Sequence, residues 1–142
     1  MRIVLDSSAV VAAIRSDRGA SRLLLVAALN RRLDLLISVP LLIEYEAVLN
    51  RAEHLKASGL SADDIAALLD AVAAVAVPVR LEFLWRPVLQ DPGDEMVLET
   101  AVNGRADGIV TFNQRDFAAA SIQFGIPVWS SGEAVKRLGS RV

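Results

Sequence analysis

Short apolar runs alternate along the chain with stretches in which apolar residues recur every three or four positions. Ile3-Val4-Leu5 predicts a short buried strand, stopped by Asp6-Ser7-Ser8, where either serine can cap a helix beginning near Ala9. Leu23, Leu24, Ala27 and Ala28 keep helical spacing and predict a second helix over 20–31. Leu35-Leu36-Ile37-Ser38 predicts the next strand, and Pro40 suits the first turn of a helix over 41–52. Ser61, with Asp64 three residues on, has the form of a capping box opening a further helix. Residues 77–81 predict a third strand.

Asp91-Pro92-Gly93 signals a turn, followed by a helix over 94–102 that Asn103-Gly104 closes. Gly108-Ile109-Val110-Thr111 predicts a fourth strand and 115–121 a short helix. Ile126-Pro127-Val128-Trp129 predicts a fifth strand at an edge, because Pro127 cannot donate to a ladder. Ser130-Ser131 caps a last helix through Leu138. Strands separated by helices imply one α/β domain over 1–142, with a parallel sheet covered on both faces. In such sheets the working site lies beyond the carboxyl ends of the strands, at the point where strand order reverses. That rule directs attention to Asp6 and to the segment Asn113 to Asp116.

Composition narrows the chemistry. The chain has 142 residues, 54% of them hydrophobic, which is enough for a real core. It has no cysteine and one histidine. Disulfide scaffolds, thiolate nucleophiles and Cys-containing zinc sites are therefore excluded. Any metal must sit among oxygens, which favours Mg²⁺ or Mn²⁺. The net charge of −2 gives no global attraction to nucleic acid. No apolar run reaches the roughly 18 residues of a membrane span, and no signal-peptide pattern opens the chain, so the expected location is the cytoplasm.

Acidic and amide side chains fall where they could share one end of the sheet. Asp6 follows the first strand, Glu44 interrupts an apolar helical turn, Asp94 opens a helix, and Asn113 and Asp116 follow the fourth strand. Helix capping or dipole compensation would explain Asp6, Asp94 and Asp116 singly, and a solvated helix face would explain Glu44. Crowded together without a counter-ion, four carboxylates would raise one another's pKa, and a hard divalent cation removes that conflict.

Four segments in order carry a resemblance to the PIN-domain ribonucleases, specifically to the toxins of type II toxin–antitoxin pairs similar to virulence-associated toxin C. They are Ile3 to Ser8, Ile43 to Arg51, Asp91-Pro92-Gly93-Asp94-Glu95 leading to Ala101, and Ile109 to Phe117. The resemblance implies a PIN-like three-layer α/β/α domain with about five parallel strands. It further implies a Mg²⁺- or Mn²⁺-dependent endoribonuclease that leaves 5′-phosphate and 3′-hydroxyl ends. Asp6, Glu44, Asp94 and Asp116 match the family acids that hold metal and orient water. Ser8, Thr111 and Asn113 match supporting polar positions. Asp91 and Glu95 flank Asp94 and could contribute in its place. Glu46 lies about 200° round the helix from Glu44, so the two cannot serve equally.

Arginine outnumbers lysine 13 to 2, a balance that either phosphate binding or a GC-rich coding genome would produce. Arg115 is the best single candidate for a phosphate contact, against a salt bridge to a neighbouring acid. Arg15, Arg18 and Arg22 could line a groove near the metal. The aromatics are few and not interleaved with basic residues, so a platform stacking many bases is not expected. Ile65, Leu68, Leu69, Val72 and Val75/Ala76 form a stripe that either packs into the core or meets a dimer or antitoxin partner. Trp85 is expected in the core, or as an interface anchor. His54 is expected on the surface at a helix C-terminus. The expected partners are an RNA substrate, a cognate antitoxin and a second copy of the chain. The alternatives are a non-catalytic RNA- or protein-binding module on the same fold, or an aspartyl-nucleophile phosphatase. The second would want an acid where Ser8 stands.

Overall fold

The computed structural model describes residues 1–82 and 91–139. The expectation for Trp85 lies outside the described residues. Five strands form one all-parallel sheet: β1 (Arg2–Leu5), β2 (Asp34–Ile37), β3 (Val77–Pro78), β4 (Gly108–Val110) and β5 (Val128–Trp129). Their spatial order is β3-β2-β1-β4-β5. The chain builds outward from β1 in one direction through β2 and β3, then returns to add β4 and β5 on the other side. Strand order therefore reverses between β1 and β4. Helices flank the sheet in a three-layer α/β/α arrangement. β1, β2 and β4 are almost wholly apolar and buried, as strands covered on both faces must be.

The first helices are α1 (Ser7–Arg15), α2 (Ala20–Leu29) and α3 (Val39–Leu49). Ser38 caps α3 through its hydroxyl, which accepts from the Leu41 N–H at 3.4 Å, and Pro40 occupies the first turn. The same hydroxyl lies 2.7 Å from that of Thr100, tying this helix start to a later helix in a buried contact. The helix expected over 41–52 is α3, and a further short helix that the sequence pattern does not predict follows it. α3 ends at Leu49, and α4 (Ala52–Ser58) follows after Asn50-Arg51. Neither glycine nor proline marks the break. Asn50 instead folds its side-chain N–H back onto the Glu46 carbonyl at 2.8 Å. His54 consequently lies within α4 rather than at the end of the Glu44 helix. Its side chain is only 12% exposed, with Nε2 3.9 Å from Glu53 Oε1 and Nδ1 buried without a partner among the described residues.

α5 (Ala62–Val75) begins with the expected capping box. Ser61 Oγ accepts from the Asp64 N–H at 3.1 Å, and Asp64 Oδ2 accepts from the Ser61 N–H at 2.9 Å. The stripe on this helix goes inward: Ile65, Leu69 and Val72 are buried in the core and Leu68 packs against it. The core explanation of the stripe holds. α6 (Pro92–Gly104) lies against β1, β2 and β4 and ends on Arg105 in a left-handed conformation, with φ 55°. α7 (Gln114–Phe124) and α8 (Ser131–Gly139) complete the described chain. β5 is the edge strand expected from Pro127, although it is shorter than 126–129, and β3 is likewise shorter than 77–81. No helix among the described residues is long and apolar enough to cross a membrane.

Candidate active site

The carboxyl ends of β1 and β4 meet where strand order reverses. Asp6 leaves β1 there, and its N–H donates to the Val110 carbonyl of β4 at 2.9 Å. Backbone pairing thus continues one residue beyond the strand and fixes Asp6 against the neighbouring chain segment. Asp6 occupies the N-cap position of α1, yet its side chain makes no capping bond. The capping explanation therefore does not account for this carboxylate. It is 4% exposed, and Oδ2 accepts from the Ser8 hydroxyl at 2.9 Å and the Thr111 hydroxyl at 2.7 Å. Oδ1 receives no hydrogen bond among the described residues. One oxygen is held and the other is open.

The hydroxyls are themselves placed by backbone. The Phe112 N–H donates to Ser8 Oγ at 3.1 Å, and the Asn113 N–H donates to Thr111 Oγ1 at 3.0 Å. Ser8 and Thr111 lie 3.4 Å apart, so a small polar network spans the gap between β1 and β4. Sequence reasoning missed Tyr45. Its buried hydroxyl donates to the carbonyl of Leu5, next to Asp6. Burial, and then the Asp6 charge, push the Tyr45 phenol above its ordinary range, so it remains a neutral donor. A lone tyrosine inside an apolar helix was the available signal.

Asp94 comes from the first turn of α6. Asp91 performs the capping, its Oδ1 accepting from the Gly93 N–H at 2.7 Å, which leaves Asp94 free of that duty. The Asp94 carboxyl is pushed up to about 6, first by burial and then by the charges of Asp6, Asp91, Asp116 and Glu95. Four acids thus act on one half-buried carboxyl. Asp116 lies in the first turn of α7 and is exposed. Glu44 approaches from α3. A Cβ added to Gly93 would stand 3.6 Å from Glu44 Oε1, an ordinary contact, and 3.2 Å from Asp91 Oδ1, so Glu44 reaches the α6 turn and it is the Asp91 cap that crowds this position. Glu95 is buried beside Asp94, and burial and then the Glu95 charge raise the Glu99 carboxyl above its ordinary range.

The remaining expected residues separate clearly. Glu46 turns to a depression between α3 and α5, lined with Ile43, Ala47, Asn50, Ala62 and Ala66. Arg22 donates to the Ala13 carbonyl at 2.5 Å, bracing α2 against α1 rather than offering its charge to a groove. Arg15 and Arg18 are exposed. Asn113, Arg115 and Asp116 line a depression of about 470 Å³ with Thr111, Phe112, Gln114 and Ser130. Arg115 forms no ion pair among the described residues, so the salt-bridge explanation for it is not met.

A family model described as the PIN domain matches residues 2–115. The chain belongs to the PIN-domain family. No curated protein and no solved structure is a significant match to it. PIN domains are typically nucleases and generally use divalent metal ions. The donors fit such an ion in type, since every candidate ligand here is a hard carboxylate oxygen. Among the described residues, no three acidic or imidazole side chains converge into a finished ligand group. Like charges without a counter-ion hold one another apart, and Mg²⁺ takes only one or two carboxylates while keeping several waters.

Proposed function

We propose that this PIN domain is a Mg²⁺- or Mn²⁺-dependent endoribonuclease, acting as the toxin of a toxin–antitoxin pair. The observation that carries the nuclease reading is Asp6, a nearly buried carboxylate with one oxygen held by two hydroxyls and the other open. Such a group is oriented for a ligand rather than for a helix terminus. Asp6, Glu44, Asp94 and Asp116 would hold the cation, with Ser8 and Thr111 fixing Asp6. Asn113 is an amide and would orient water without adding charge. When bound, the ion supplies charge neutralisation at the phosphodiester and lowers the pKa of water nearby.

This chain's residues then have separable tasks. Asp6, Glu44, Asp94 and Asp116 would close around the cation beside Asp6 and orient the attacking water in line with the P–O3′ bond. That water's oxygen bonds to phosphorus as the bond to the 3′ oxygen breaks, leaving a 5′-phosphate and a 3′-hydroxyl. Arg115 is free to meet a non-bridging phosphate oxygen. Ser8, where an aspartyl-nucleophile phosphatase would need a second acid, is occupied instead in holding Asp6. The toxin role, the antitoxin and a homodimer are part of the proposal and rest on the sequence resemblance. Expression of the wild-type chain should arrest growth, and Asp6→Asn should relieve the arrest. Arrest that persists undiminished in Asp6→Asn would refute a catalytic toxin. Purified protein should cleave single-stranded RNA with Mg²⁺ or Mn²⁺ and stop with chelator, and cleavage indifferent to chelator would refute metal dependence.

A further inference from the structure

We propose that Phe112 is a stacking platform for one unpaired RNA base beside the phosphate presented to Asp6. The inference rests on the ribonuclease reading above and adds how the substrate is gripped. Phe112 is 61% exposed, whereas Phe117, five residues on, is fully buried. An apolar ring left in water beside a polar site asks for a ligand with an apolar face. The ring is also mechanically tied to the site. Its own N–H donates to Ser8 Oγ and the next N–H donates to Thr111 Oγ1, and both hydroxyls donate to Asp6 Oδ2. A base stacked on Phe112 would therefore be placed in fixed register with the carboxylate.

The surroundings favour a nucleobase over a protein side chain. The depression at Phe112 is otherwise lined by Thr111, Asn113, Gln114, Arg115, Asp116 and Ser130, all polar or charged. Among the described residues, none of the other exposed large apolar side chains, Leu23, Val26, Val39, Ile43 and Ile122, lines it. Protein contacts centre on clusters of apolar anchors. Single-stranded RNA is held by an aromatic face for the base and by hydrogen-bonding or basic groups for its edges and backbone. Phe112 offers the first, and Asn113, Gln114 and Arg115 offer the second. A duplex keeps its bases stacked on one another and cannot use the ring, so the preferred substrate is unpaired at this nucleotide.

The test measures binding and cleavage separately. Fluorescence anisotropy with a labelled single-stranded oligoribonucleotide, in an Asp6→Asn background that blocks turnover, compares Phe112, Phe112→Ala and Phe112→Trp. Phe112→Ala should weaken binding by about 5- to 100-fold, and Phe112→Trp should restore it. Removing the base at a single nucleotide should weaken binding to the Phe112 protein and leave the Phe112→Ala protein unaffected. In the otherwise wild-type chain, Phe112→Ala should raise KM. Equal RNA affinity and equal KM for Phe112→Ala and wild type would overturn the proposal. Unchanged RNA binding together with loss of neutralisation by the antitoxin would overturn it in favour of a protein contact. Base-dependent binding through Phe112 in a chain that cleaves nothing with any divalent cation would uphold the platform and refute the nuclease reading alone.

Discussion

Replacing Thr111 by valine keeps the shape of a buried side chain and removes one hydroxyl. Thr111 is 1% exposed and donates to Asp6 Oδ2 at 2.7 Å while accepting from the Asn113 N–H at 3.0 Å. A hydrogen bond to a charged group contributes about 1.5–3 kcal/mol. The Asn113 amide can turn to water, since that residue is exposed, so its loss adds little. Thr111→Val should therefore cost about 1.5–3 kcal/mol, a fall of roughly 5–12 °C in Tm for a domain of this size. Thr111→Ser keeps the hydroxyl and loses a buried methyl, costing about 1 kcal/mol. Urea unfolding in chelator gives both values without a cation to support Asp6. The reasoning fails if valine is tolerated as well as serine, because an isostere without the hydroxyl would then satisfy the site. Thr111→Val should also lose RNA cleavage that Thr111→Ser retains.

Two further predictions address the core and the charge cluster. Gly108 opens β4, and a Cβ there would stand 2.5 Å from Trp129 Cε3 and Cζ3. The Trp129 ring is itself buried, with the Arg137 guanidinium 4.7 Å from its centroid. Gly108→Ala must displace the ring and should cost about 1–3 kcal/mol, read by urea unfolding and by a changed tryptophan emission; wild-type stability and emission would contradict the packing. Asp94 titrates near 6 when folded and near 4 when unfolded, so the folded state binds its proton more tightly. Its contribution is present in full below about pH 4 and is lost as pH rises through about 6. Metal-free wild type should therefore lose Tm across that window relative to Asp94→Asn. Because Glu99 is raised as well, the difference between the two proteins is the quantity to read, and parallel curves would refute the clustering.

Much of this architecture is legible in the chain itself. Ile3-Val4-Leu5, closed by Asp6-Ser7-Ser8, is legible as a short buried strand, and side-chain chemistry announces helix starts at Ser61 and Pro40, whereas the turn read at 91–93 is already the start of α6. The separate helix α4 is not legible, because apolar spacing continues from Leu49 through Ala52 to Leu55 and neither glycine nor proline stands between it and α3. The extents of β3 and β5 are equally hidden, since two-residue ladders at sheet edges depend on neighbours rather than on local preference. At the site, the acids themselves could be found by their position after strands and at helix starts. Their division of labour could not. Asp91 and Asp94 look alike in sequence, and only the bond to the Gly93 N–H makes Asp91 the cap. Glu44 and Glu46 differ by which neighbour they face, the α6 turn or α5. Phe112, read in sequence, is one more apolar residue after a strand, and its exposure appears only once Thr111 has turned inward to Asp6.

The central claim is that acids delivered by separate elements to the β1/β4 switch point form one divalent-cation site. Calorimetric titration of the metal-free protein with Mn²⁺, repeated on Asp6→Asn and Asp94→Asn, tests it most directly. Saturable binding to wild type, weakened in both variants, is the predicted result. Absence of binding to wild type, or binding that both variants retain in full, would contradict it.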